Sequence, residues 1–168
     1  MAATGIGYAF AFNFLSLLIS PVGWFFVPFA LGLFITRFVG LGYLQRLPAW
    51  RLASFGLLAY VIGFAAILIG SAVVAGLAFG CGYGVVGPTA IAWGSAPYPR
   101  TEASRARPVA LVTVCFNLGS IVAAQVTGAA LPTLGWSGLL LTLAVLLLLI
   151  LLACAAPGIA RQKREMSA

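Results

Sequence analysis

The sequence of 168 residues contains no histidine and no aspartate, and its only carboxylate side chains are Glu102 and Glu165. Without those groups a Ser–His or Cys–His nucleophile pair, a paired-carboxylate acid–base site and a His/Cys/Asp/Glu metal cluster have no members to draw on. An enzyme is therefore not expected, and neither is a metal or other cofactor. Charge of either sign is scarce: 7% of the residues are charged and 63% are hydrophobic, against about 25% charged in a soluble domain. The cysteines Cys81, Cys115 and Cys154 are odd in number and have no C-x-x-C spacing, so no disulfide framework or zinc site is indicated. They read as small packing residues. Met1 to Gly7 lacks the positive stretch of a signal peptide, and the first apolar segment is expected to persist as a helix.

What the chain has instead is long charge-free runs. No Asp, Glu, Lys or Arg occurs from Met1 to Thr36, from Leu52 to Pro99 or from Pro108 to Ala160. A hydrocarbon core of about 30 Å takes about 20 helical residues. The second and third runs are each too long for one crossing and suited to two crossings with a turn. The first extends through Arg37 to Leu44 and reads the same way. Three helical hairpins follow. Helices are expected because a segment in lipid must pair its own backbone amides, and no period-2 alternation points to a barrel.

The fold class expected is an all-α membrane protein, one domain of six transmembrane helices spanning about residues 3–20, 23–44, 52–69, 72–95, 109–131 and 138–157, with a basic tail over 158–168. Turn signals separate each pair: Pro21-Val22-Gly23, Gly70-Ser71, and Pro132 through Gly138. The net charge of +7 does not indicate nucleic acid, because no soluble element is left to enter a groove. It sorts by topology. Arg46 and Arg51 fall in the second loop, Arg100, Arg105 and Arg107 in the fourth, and Arg161, Lys163 and Arg164 in the tail. An excess of basic residues marks cytoplasmic loops, so both termini are expected in the cytoplasm, with the chain in a bacterial inner (plasma) membrane.

The spans differ in character. The last has ten leucines between Gly138 and Pro157, and its Leu, Ile and Val residues favour insertion by about 4–7 kcal/mol. It is expected to face lipid. Asn13, Arg37, Tyr83, Thr89, Asn117 and Gln125 lie in the first, second, fourth and fifth spans, where they would be costly against hydrocarbon; they are the candidates to line a cavity.

The order of features resembles the C-terminal half of a major facilitator superfamily transporter, helices seven to twelve. Arg37-Phe-Val-Gly-Leu-Gly-Tyr-Leu-Gln-Arg46-Leu-Pro-Ala-Trp-Arg51-Leu is similar to that family's R-x-x-x-G-x-L-x-D-R-x-G-x-R-x-L region, with Gln45 where Asp is common and Pro48 near the usual Gly. Gly80-Cys-Gly82-Tyr-Gly84-Val-Val-Gly87-Pro88, then Ser95-Ala96-Pro97, looks like helix ten and the loop after it. Phe116-Asn117-Leu118-Gly119, Gly128 and Leu134-Gly135-Trp136 resemble helix eleven and its outer turn. The loop Arg100 to Pro108 lacks the Arg-Gly that often precedes helix eleven. The resemblance covers nearly the whole chain and implies 3+3 inverted repeats, alternating access around a central site, and transport or efflux of a small-molecule substrate.

Only one half would be present. A missing N-terminal half or a second copy is therefore an expected partner besides the lipid bilayer, and a truncated gene product is expected more than a half-transporter acting as a dimer. The alternatives are a non-transporting structural or assembly protein and a non-functional gene fragment. If transport is proton-coupled, the titrating group is expected in the absent half.

Three features admit both a structural and a functional reading. Arg37 either pairs with a substrate or another charge, or snorkels about 10 Å to its helix end. Gly76, Gly80 and Gly84 recur every four residues and make a face for close helix packing; with Gly87 and Pro88 the alternative is a hinge or gate. Asn117 and Gln125, two turns apart, either bond between helices or face substrate.

Overall fold

The computed structural model describes residues 23–40, 42, 46–95 and 102–166. The expected first span over 3–20, with Asn13, lies outside the described residues, as does Arg100. Among the described residues every regular element is helical. By length and composition three of the helices suffice to cross a membrane, with windows at Arg51–Leu68, Ala72–Thr89 and Val109–Ala153, and a shorter apolar helix covers Gly23–Val39.

Helix α1 runs over Gly23–Phe34 and passes into a π-helical turn at Ile35–Val39. The turn closes with the Gly40 N–H donating to the Ile35 carbonyl at 2.8 Å, an i to i−5 bond where an α-helix makes i to i−4. The Thr36 hydroxyl donates to the carbonyls of Gly32 at 2.9 Å and Leu33 at 3.0 Å, competing for acceptors that the regular ladder would use. The sequence offers an unbroken span over 23–44 here, and the structure differs by this widened turn.

Helix α2 spans Ala49–Leu68, starting at Pro48, whose fixed φ of −63° suits a helix entry and whose carbonyl accepts from Arg51 and Leu52. It ends in a Schellman motif: Ser71 N–H donates to Ala66 and Gly70 N–H to Ile67, with Gly70 at φ +77°. Ser71 then starts helix α3, Ala72–Ser95, by accepting from Ala75. The two helices are thus joined by a turn of three residues and pack as an antiparallel pair. Gly56 lies against Val86, Gly82 against Tyr60, and Gly63 against the Phe79 ring.

α1 packs on the other side of α3 and runs parallel to it, since Gly76 meets Phe25, Gly80 meets Phe29, and Gly84 meets Leu33 and Thr36. A parallel pair requires a return crossing between its members, and α2 supplies it. The centre of this layer is Phe79. Its ring lies 6.0 Å from Phe25 on α1, and 5.4 and 5.0 Å from Tyr60 and Phe64 on α2. The geometry is edge-to-face, which the ring quadrupoles favour.

Helix α4 is helical from Glu102 to Met166 except at Gly135, whose φ of 65° and ψ of 178° break it. Phe116 on the first arm approaches Tyr83 at 6.2 Å, while Leu139, Leu140, Leu143 and Leu147 on the second arm join the buried cluster around Phe79 and Tyr60. Phe116 and Leu143 would stand about 40 Å apart on a straight rod, whereas Tyr83 is one turn from Phe79 on α3. The arms therefore turn back on one another at Gly135. The seven-residue turn read from Pro132 through Gly138 is compressed to one glycine, because a single backbone in a conformation closed to L side chains redirects the chain.

The helices also extend into expected loops. Arg51 lies in the first turn of α2, and Arg105 and Arg107 on the first turns of α4, leaving Arg46 in the turn before α2. Outward faces are apolar: Val27, Phe38 and Val39 are 71%, 73% and 72% exposed. Such a surface is unfavourable in water and suits lipid tails.

Candidate functional site

Two faces of α3 are built from glycines in different phase. Gly76, Gly80 and Gly84, one every four residues, share the side toward α1. A Cβ on Gly80 would run into the Phe29 carbonyl, and one on Gly76 into that of Phe25. α1 reciprocates with Gly32, where a Cβ would stand 2.5 Å from the Leu77 carbonyl oxygen and 3.1 Å from the Cys81 nitrogen. The Cys81 thiol donates across this contact to the Gly32 carbonyl at 3.7 Å. Gly82 lies about 200° round the helix from Gly80 and faces α2 instead, where a Cβ would stand 3.0 Å from the Gly56 carbonyl oxygen. Gly32, Gly56, Gly63 and Phe79 carry these contacts without having been singled out in the sequence, and Gly82 was read there only as part of a glycine-rich segment. The signal for Gly82 was its two-residue offset from the stripe; nothing in the local sequence singles out Gly32.

The stripe continues toward the Ser95 end of α3. Gly84 is the seat of Thr36, whose Oγ1 would overlap any side chain there. One turn on, the Arg37 Nη2 lies 3.6 Å from where a Cβ on Gly87 would stand. The next residue, Pro88, lies inside the helix and withholds the N–H that would bond the Gly84 carbonyl. Thr89 follows, buried, its hydroxyl donating to the Val85 carbonyl at 2.7 Å. Thr89 thus bonds within its own helix.

Tyr83 is half-buried between two aromatic neighbours, Phe29 on α1 and Phe116 on the first arm of α4, each at 6.2 Å. Beside Phe116 the first arm divides into two faces. Gly119, Ala123 and Thr127 are buried, whereas Thr113, Asn117 and Gln125 are exposed. Asn117 and Gln125 are about 80° apart round the axis. They share that outward side with Ile121, 59% exposed. The structure thus places Tyr83, Phe116 and Asn117 in one neighbourhood and sets Arg37 on the α1–α3 seam. Among the described residues no group of His, Cys, Asp and Glu could hold a metal ion.

The chain was compared with family models, with curated proteins and with solved structures, and no significant match was found in any of them.

Proposed function

We propose that this chain is one half of a transporter of the major facilitator type: six spans in 3+3 inverted repeats, both ends cytoplasmic, in a bacterial inner membrane. It moves a small solute by alternating access together with a second six-helix half, supplied by another polypeptide segment or by a second copy. The observation that carries the reading is the exposure of Asn117 and Gln125 on the otherwise apolar outward side of the first arm of α4. An exposed Asn117 and Gln125 on an apolar helix are costly against lipid, and a water-filled cavity shared with a second half removes that cost. The parallel course of α1 and α3 supports the topology, because it brings Arg37, Arg46 and Arg51 to the same end as the exit of α3. The break at Gly135 supports two crossings in place of one, since the 45-residue apolar window is over twice what a membrane of about 30 Å takes.

The second reading is a closed structural protein, favoured by the rings that fill the contact of α1, α2 and α3. One experiment separates the two. Cys81, Cys115 and Cys154 are replaced by alanine, and Asn117→Cys and Gln125→Cys are offered a membrane-impermeant maleimide in native membranes. The transport reading expects both to react from at least one side. Silence at both positions, with Ser71→Cys reacting as the control, sinks the cavity and leaves the closed bundle. Differently tagged copies that co-purify would identify the second half as another copy of the chain.

A further inference from the structure

Arg37 carries the only charge between Met1 and Gln45, and its surroundings are arranged for something other than burial. It sits on the π-turn Ile35–Val39, a widened turn of a kind frequent where a helix presents a functional side chain. Its Nη2 lies beside α3, 3.6 Å from where a Cβ on Gly87 would stand, an ordinary van der Waals contact. The rest of the side chain is exposed, and among the described residues no carboxylate is paired with it. Two helices give its depth independently. Gly87 lies about 22 Å along α3 from Ala72, and Arg37 about 21 Å along α1 from Gly23. With Gly23 and Ala72 at one boundary of a core of about 30 Å, as the proposed topology has them, both counts leave the guanidinium roughly 8 Å from the other. A cation held there without a partner is unfavourable, and a bound anion relieves that cost.

We propose that Arg37 is an oxyanion-binding residue, taking a phosphate group that enters along the α1–α3 seam from the Arg46 end. A planar guanidinium offers two parallel N–H donors to two phosphate oxygens. Gly87 lies beside the fork, and the widened turn Ile35–Val39 carries Arg37. The phosphate belongs either to a soluble phosphorylated solute or to a lipid headgroup, since both present the same oxygens. The site does not depend on the transport reading, because binding is measured without transport.

The test uses the full chain in dodecyl maltoside, a detergent without phosphate. One arm is titrated with inorganic phosphate and the other with short-chain phosphatidylglycerol, both at constant ionic strength balanced with chloride. The readout is the thermal unfolding midpoint, which rises with saturation of a ligand that binds the folded state. A saturable rise is expected in at least one arm. Affinity should fall at least tenfold in R37Q, and several-fold in R37K, which keeps the charge but not the fork. Gly87→Val keeps the charge and adds bulk beside the fork, and should also weaken binding several-fold; R46Q should bind like the parent. A response to inorganic phosphate identifies a soluble oxyanion, and one confined to phosphatidylglycerol identifies a headgroup. Circular dichroism checks that each variant is folded, and if R37Q is not, Gly87→Val decides alone. No saturable response in either arm, or a response that the Arg37 and Gly87 variants leave intact, overturns the proposal.

Discussion

Gly80 and Gly128 are both helical glycines, and alanine should affect them in opposite directions. A Cβ on Gly80 meets the Phe29 backbone carbonyl, which cannot swing aside, whereas one on Gly128 meets nothing within 4 Å. Gly80→Ala is therefore expected to destabilise by about 1–3 kcal/mol through overpacking. Gly128→Ala is expected to gain up to about 1 kcal/mol from helix propensity. Unfolding of the purified chain by denaturing detergent reads both; equal effects would show that the stripe is not a contact. Phe79→Ala removes the ring that joins α1 to α2 and should cost about 3–5 kcal/mol by the same measurement. The spacing of Gly76, Gly80 and Gly84 was readable along the chain because one helix face repeats every three to four residues. The role of Gly32 and the place of Arg37 beside Gly87 were not, because each depends on a residue about 45–50 positions away.

In α1, the sequence between Gly23 and Leu44 reads as one apolar helix, yet the structure widens at Ile35–Val39. Thr36 on this turn is pressed against Gly84 and donates its hydroxyl to the Gly32 carbonyl, a contact that local preference does not specify. The α2–α3 connection is the opposite case. Gly70-Ser71 marks a turn in the sequence, and the positive φ of Gly70 is what that turn requires. Gly135 redirects a whole helix through one residue, and Gly135→Ala should cost about 1–3 kcal/mol, since its backbone region is closed to a Cβ. Spin labels at Leu118 and Leu152, each 17 residues from Gly135 and both exposed, measure the reversal directly. A hairpin gives a separation of roughly 10–20 Å, and a continuous rod about 50 Å; a distance near the latter would refute the reversal.

For the molecule as a whole, the proposed six-span topology makes a prediction at four points. Alkaline phosphatase, active only outside the cytoplasm, should be active when fused after Ser71 or Gly135 and inactive when fused after Arg105 or Ala168. Activity at Arg105 together with Ser71 would require a different number of crossings. Much of this was readable in one dimension. Hydropathy and charge are sums over consecutive residues, and a segment in lipid must satisfy its own backbone, so composition and order sufficed for an apolar helical chain with basic residues gathered between charge-free runs. It took the packed helices to assign the faces. Which side of α3 meets α1, where Arg37 comes to rest, how Thr36 meets Gly84, and how the arms of α4 double back on a shared core all depend on the helix lying alongside, and sequence neighbours carry no record of that contact.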